Sequence, residues 1–131
     1  MDDVIIVSGH NLGTAPIEDA INEHPNVAES AIVGYPHAIK GSALYGFVTL
    51  KNSHDLTDTL KTEINELISK QIGPIAKLDK IQFTSGLPKT RSGKIMRRIL
   101  RKIASKDTSN LGDISTLLNP EVVDTIMKNS F

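Results

Sequence analysis

The sequence predicts an α+β fold, a small sheet of short, mainly antiparallel strands with helices packed on one side of it. Short apolar or alternating runs at residues 4–7, 27–35, 43–50 and 80–83 have the length and composition of strands. Between and after them, apolar residues recur at helical spacing in three stretches, and such a mixture without regular βαβ alternation is the α+β pattern. The length of 131 residues suits one domain. Aromatics make up only 4% of the chain and Trp is absent, so the core is expected to rest on Ile, Leu, Val and Ala.

Taken in order, Val4 to Val7 is a strand and Ser8-Gly9-His10-Asn11 is turn chemistry. Thr14 has the character of a helix N-cap, with Pro16 in the first turn and Glu18 near the positive end of the dipole. Ile17, Ala20 and Ile21 form the apolar side of that helix, and His24-Pro25-Asn26 ends it. Val27 to Tyr35 is a strand stopped by Pro36. After a loop with Lys40 and Gly41, Ala43 to Leu50 can pair antiparallel with it, Tyr45, Phe47 and Thr49 alternating against Leu44, Val48 and Leu50. A polar linker at 51–55 leads to a helix from Leu56 to Ile72, with Leu60, Ile64, Leu67 and Ile68 on one face and Gly73-Pro74 as its stop. Lys80 to Phe83 is a short edge strand, and Ser85 to Arg91 a polar loop. A basic helix follows from Ser92 to about Ser105, its buried stripe Ile95, Ile99, Leu100 and Ile103, its arginines on the other faces. Residues 1–106 are the α+β body; 107–131 form a tail that packs back on it through Leu111, Leu117, Leu118, Val122 and Ile126.

Charge narrows the function. Fifteen basic and fifteen acidic residues cancel, so nothing global points to nucleic acid or an anionic membrane. No apolar run is long enough to span a bilayer, and Met1-Asp2-Asp3 is unlike a secretory signal, which favours a cytoplasmic protein. The absence of cysteine excludes disulfides and thiolate metal sites. His10, His24, His37 and His54 lack metal-ligand spacing and read as structural or surface residues. One stretch departs from neutrality: Lys89, Arg91, Lys94, Arg97, Arg98, Arg101, Lys102 and Lys106 lie in 89–106 with no acid among them.

Within it, Pro88-Lys89-Thr90-Arg91-Ser92-Gly93-Lys94, followed by Ile95-Met96-Arg97-Arg98, reads as a loop carrying cations into a helix start. Backbone N–H groups there favour anions, and a lysine on its long stem can neutralise a phosphate and a carboxylate together. The bland reading is a solvated basic helix. A P-loop is excluded, because the Gly-x-x-x-x-Gly-Lys-Ser/Thr spacing is missing.

This motif resembles the last signature motif of the acyl-adenylate-forming enzymes, in the form of their AMP-forming acetyl-CoA synthetase branch. Three other segments resemble that branch in the expected order. Asp2-Asp3-Val4-Ile5 and Val7-Ser8-Gly9-His10, with Leu12-Gly13-Thr14-Ala15 and Ile17-Glu18, are similar to the hinge and loop that open its C-terminal domain. Gly34 to Gly41 and Ser109-Asn110-Leu111-Gly112-Asp113 are similar to its stretch after the first long strand and to its tail.

The resemblance implies the C-terminal lid domain of an enzyme that joins acetate to CoA through acetyl-AMP, with ATP and its Mg²⁺, and CoA, as substrates. None of these is expected to be held by this domain alone. It implies a large N-terminal partner domain binding ATP, acetate and most of CoA, to which nothing in this sequence is similar, so the chain alone is expected to be inactive. By the same resemblance Lys94 matches the adenylation lysine and the site of a regulatory acetylation, with an acetyltransferase and a deacetylase as further partners. Asp2 matches the hinge between two domain poses. Gly9, with Ser8, matches the loop along the pantetheine tunnel. Asn11 stands where the family usually has a phosphate-contacting Arg, and Ser69 where it has a CoA-contacting Arg, for which Lys70 could compensate. Rival readings are a propionyl- or acetoacetyl-CoA synthetase, a nucleic-acid binder using the basic helix, and a free-standing interaction domain.

Overall fold

A computed structural model describes residues 4–7, 9–37, 41–51, 58–105 and 117–129. The sheet is organised by two long neighbours, β3 (Val27–His37) and β4 (Gly41–Leu50), paired antiparallel from Val27↔Leu50 to His37↔Gly41 with a register shift between Val27 and Glu29. The other edge of β4 is shared. At its start Gly41 pairs with Val7 of β1 (Val4–Val7), which forms a hairpin with β2 (His10–Gly13). Further along, β5 (Lys80–Phe83) pairs with Tyr45 to Val48, and this pairing is parallel. The fourth expected strand is thus present but runs in the minority direction, and His10 and Asn11, read as turn, are strand. Pro36 does not stop β3. That strand is an edge of the sheet, bonded on one side only, where a missing N–H is tolerated.

Helices cover both faces of the sheet rather than one, because both faces of the central strands are apolar. Ile32, Leu44 and Val48 point to one side, where they pack with α1 (Thr14–Asn22) through Ile17 and Ile21 and with α2 (Asp58–Gln71) through Leu60, Ile64 and Ile68. Ala31, Val33, Tyr45 and Phe47 point to the other, against α3 (Arg97–Ala104) through Ile99, Leu100 and Ile103 and α4 (Glu121–Asn129) through Val122, Val123 and Ile126. The period-2 alternation read from β4 is therefore the boundary between two cores. The first core is almost wholly aliphatic. The second has aromatic content: Tyr45 stacks on Phe47 at 4.4 Å and meets Tyr35 edge-on at 6.0 Å. The Tyr45 hydroxyl donates to Gln82 Oε1 at 2.6 Å, and Gln82 Nε2 donates to the Ile126 carbonyl at 2.9 Å. Burial, then the neighbouring Tyr35, push the Tyr45 hydroxyl up to about 12, and burial, then Asp79, raise that of Tyr35. Gly46 gives Leu78 its place: a Cβ there would come within 2.5 Å of Leu78 Cδ1, so a larger residue would force that buried side chain to shift.

An ion pair straddles the open edge of β3. Glu18 of α1 is buried rather than exposed at a helix start, and its Oε2 accepts the Ile32 N–H at 2.8 Å. Arg97, the first residue of α3, clasps the same carboxylate with both terminal nitrogens, Nη2 to Oε1 at 2.7 Å and Nη1 to Oε2. The pair satisfies an edge N–H that would otherwise invite another strand, and it ties the helical layer on one face to that on the other. Thr14 is the first residue of α1 and buried; Gly13 stands at the N-cap without a side-chain cap bond. Among the described residues no helix is long and apolar enough to cross a membrane.

Candidate functional site

Lys94 does not lie at a helix start. The helix begins three residues later, at Arg97, and Ile95, half-buried, precedes it instead of joining its stripe. Residues 89–95 form a tight hairpin closed by the Lys89↔Ile95 bridge, with Thr90 N–H donating to the Lys94 carbonyl at 2.8 Å and Met96 N–H to the Pro88 carbonyl at 2.8 Å. Gly93 makes the turn possible: its φ of 92° is one that side-chain-bearing residues rarely adopt. The Thr90 hydroxyl accepts the Lys94 N–H at 3.2 Å and sits 2.8 Å from the Ser92 hydroxyl. Both backbone polar groups of Lys94 are thus held by Thr90, while the side chain is exposed.

The cations on either side of the tip are already neutralised. Lys89 Nζ donates to Glu29 Oε2 on β3 at 2.9 Å, and Arg97 is held by Glu18. Arg91 and Lys94 remain on the exposed tip. The basic run is therefore not a uniform solvated face: Lys89 and Arg97 are structural, while Arg91 and Lys94 stand exposed at the turn.

A third chain segment backs the hairpin. Thr90 bridges to Leu117, and Leu118 N–H donates to the Lys89 carbonyl at 2.9 Å. The Asn119 side chain accepts the Lys89 N–H through Oδ1 at 3.0 Å and donates through Nδ2 to the Leu87 carbonyl at 2.8 Å. Leu117 is buried against α3 and α4, whereas Leu118, expected in the core, is 60% exposed.

Gly9 tips the other hairpin, between β1 and β2, with φ 82°. A Cβ there would meet nothing within 4 Å, so backbone conformation is the only local requirement for glycine. Asn11 is exposed on β2 opposite Ile6. Beside this hairpin lies a groove of about 520 Å³ lined by Val4, Ile6, Gly34, Tyr35, Pro36 and Arg101 among others, where Val4 and Ile6 are 63% and 57% exposed. Ser69 and Lys70 end α2, Ser69 half-buried and Lys70 exposed. Lys70 lines a groove of about 360 Å³ with Glu23, His24, Glu63 and Glu66, a largely acidic setting. His24 closes it: its Nδ1 accepts the Asn26 N–H at 3.1 Å, so Nε2 carries the proton that faces Glu63 Oε1 at 3.2 Å. Asp2 and Ser8 lie outside the described residues, as do residues 106–116 of the tail. Among the described residues no three His, Cys, Asp or Glu side chains gather to hold a metal.

Sequence reasoning missed Glu18, Glu29 and Asn119 as supports of the Lys94 hairpin. Glu18 carried a signal, an acid placed beside Ile17 and Ile21 on the apolar side of its helix, which needs a cationic partner when buried. Glu29 and Asn119 carried none, since their partners are 60 and 30 residues away in sequence.

A family model described as the AMP-binding enzyme C-terminal domain matches residues 16–94 and ends on Lys94 itself. The acetyl-coenzyme A synthetase of Magnetococcus marinus is 59% identical over 129 residues, which is 98% of this chain and 20% of that protein. The acetyl-coenzyme A synthetase of Serratia proteamaculans is 58% identical over 128 residues, again 98% and 20%. In structure, the acyl-CoA synthetase of Brucella canis superposes with a TM-score of 0.73 at 39% identity, over 76% of this chain and 18% of that one. The chain thus spans about a fifth of the length of the curated relatives it matches. With 16–94 running from the first turn of α1 through β3, β4, α2 and β5 to Lys94, the match takes in more than half of the chain, which belongs to the AMP-binding enzyme C-terminal domain family.

Proposed function

We propose that the chain serves as the C-terminal domain of an acetate–CoA ligase. In the first half-reaction an acetate oxygen attacks the α-phosphate of ATP, entering with Mg²⁺, and pyrophosphate leaves with the electron pair of the broken P–O bond. In the second, the CoA sulfur attacks the acetyl carbon of acetyl-AMP, loses its proton, and AMP leaves. The observation that carries this reading is the near-complete alignment of the chain at 57–59% identity with proteins named acetyl-coenzyme A synthetase.

Lys94 supplies the cation for the first step. Carboxylate and phosphate must approach each other as anions, and a fixed positive charge between them stabilises the transition state more than the separated reactants. The hairpin geometry suits this: a pinned backbone carries an exposed, long-stemmed ammonium. Gly9 and Ser8 serve the second step by leaving room beside the CoA arm, Lys70 aids CoA binding, Asn11 offers a neutral donor to phosphate, and Asp2 is the hinge between the two poses. Acetylation of Lys94 by an acetyltransferase would remove the charge, and a deacetylase would restore it.

The test uses the full-length enzyme. Acid-dependent exchange of pyrophosphate into ATP is measured with acetate, propionate and acetoacetate, then AMP release with CoA. Acetate is expected to support the fastest exchange; preference for a larger acid would make this the equivalent domain of another short-chain ligase, and no acid-dependent exchange would refute the reading.

A further inference from the structure

The tail segment around Asn119 lies beyond the stretch matched by the family model, yet it is hydrogen-bonded into the hairpin that carries Lys94. We propose that Asn119 is a positioning residue for Lys94, holding the outer strand of a three-stranded miniature ladder; this rests on the reading of Lys94 as the adenylation cation.

The ladder runs from 117–119 to 87–90 to 94–96. A two-stranded hairpin by itself is marginal in water, and a third strand is what makes such a unit stand. Among the described residues the third strand offers one backbone bond, from Leu118 N–H to the Lys89 carbonyl, beside the Thr90↔Leu117 bridge. The Asn119 amide adds two more. Its oxygen and nitrogen act as a substitute peptide group, bonding one residue's N–H and another's carbonyl on the same stem, at Lys89 and Leu87. Asn119 is itself fixed, because its carbonyl accepts the Val122 N–H at 3.1 Å as α4 begins, and Val122 and Val123 are buried in the core against α3.

The chain of restraint is therefore continuous. The α4 core holds Asn119, Asn119 holds Leu87 and Lys89, the Lys89–Thr90 stem holds the Lys94 carbonyl, and the Lys94 ammonium is aimed from that backbone. A cation that must sit between two reacting anions loses most of its value when its anchor wanders by about 1 Å, which costs on the order of 100-fold in rate. Thioester formation makes no demand on Lys94, so it does not depend on this restraint.

The experiment compares wild type, Asn119→Ala, Leu118→Pro and Lys94→Ala in the full-length enzyme. Asn119→Ala removes both amide bonds. Leu118→Pro removes the backbone donor to the Lys89 carbonyl at an exposed position. Each of the two is expected to lower acetate-dependent pyrophosphate exchange about 10- to 100-fold, mainly in kcat. Thioester formation from supplied acetyl-AMP should hold within about twofold. Tryptic cleavage after Arg91 should accelerate in both, reporting the released hairpin without reference to activity. Equal loss in both half-reactions would make the segment a plain folding element and overturn the proposal. So would normal exchange in Asn119→Ala and Leu118→Pro while Lys94→Ala is crippled. Normal exchange in Lys94→Ala would instead remove the reading of Lys94, and this inference with it.

Discussion

Two hairpins of this domain end in a glycine with positive φ, Gly9 at 82° and Gly93 at 92°, and in neither would a Cβ meet a neighbour within 4 Å. Their bases differ. The Gly93 hairpin is tied to partners remote in sequence: Glu29 through Lys89, Leu117 through Thr90, Leu118 and Asn119 through the Lys89 stem, and Glu18 through Arg97 where the hairpin enters α3. The Gly9 hairpin continues the main sheet, paired by β1 to Gly41 of β4, beside a groove floored by the exposed Val4 and Ile6. One is an arm held by polar bonds to distant segments; the other is a corner of the main sheet. Under the proposed function the first would place a charge and the second would leave room for a ligand.

Removing the charge is the strongest way to break the comparison. Lys94→Ala and Lys94→Gln in the full-length enzyme should each lower acetyl-AMP formation by about 100-fold or more, the size typical of losing a preorganised electrostatic partner. Lys94→Arg keeps the charge but replaces a compact ammonium by a planar fork, and should recover only part of the rate. All three should convert supplied acetyl-AMP and CoA at the wild-type rate. Normal adenylation in Lys94→Gln would end the charge-placement reading.

Part of this geometry was legible in the sequence, because motif and period are local. Tyr45 and Phe47 alternating against Leu44 and Val48 marks the two faces of β4, and Gly93 marks the turn on which Lys94 stands exposed. The supports were not legible, because they are pairings between distant residues. Arg97 looks like one more exposed cation of a basic helix until α1 and β3 are seen to meet it. The same run of charges set the helix start too early: Ser92 to Met96 has no proline to forbid helix, and only the Thr90 and Pro88 bonds show why the chain folds back first. Helices were expected on one face because a helix's period marks which of its own sides is buried and not which face of the sheet it covers.

The Gly9 tip is tested by separating conformation from size. Asn tolerates positive φ better than other side chains, so Gly9→Asn should keep the hairpin, whereas Gly9→Leu adds both strain and bulk. If Gly9 leaves room for the CoA arm, Gly9→Leu should lower thioester formation about 10- to 100-fold while pyrophosphate exchange is spared. Gly9→Asn should show a smaller loss in the same half-reaction, with an unchanged melting temperature. Loss of both half-reactions together in Gly9→Asn would assign the glycine to folding.

Arg97 sharpens the other side of the comparison. Truncation to Ala leaves the buried Glu18 carboxylate with the Ile32 N–H as its remaining bond, and an uncompensated, largely buried charge costs about 2 to 3 kcal/mol after allowing for partial exposure of the pair. The domain should melt several degrees lower, by about 3 °C per kcal/mol for a chain of this size. Replacing both partners, as Glu18→Gln with Arg97→Met, should recover most of that loss, since neither group is then charged and alone. A double variant as unstable as Arg97→Ala would show that the guanidinium matters for its packing and not for the pair.

The smallest effect is expected at Lys70. It stands exposed at the end of α2, where a cation is favoured by the helix dipole, and it shares its groove with Glu23, Glu63 and Glu66. Those carboxylates oppose a CoA phosphate approaching the same place, so the net attraction that Lys70 can exert is small and screened by salt within about 10 Å at 0.1 M. Lys70→Ala should therefore raise the KM for CoA only about two- to fivefold at low ionic strength, leave kcat unchanged, and lose its effect as salt is added. Ser69→Arg would set a bidentate phosphate partner beside Lys70 at a half-buried position, and should lower the KM for CoA below that of wild type if this helix end meets the nucleotide. No change in KM for either variant would place CoA elsewhere and leave Lys70 as a helix-terminal charge, so that the Gly9 hairpin alone would carry the thioester side of the comparison.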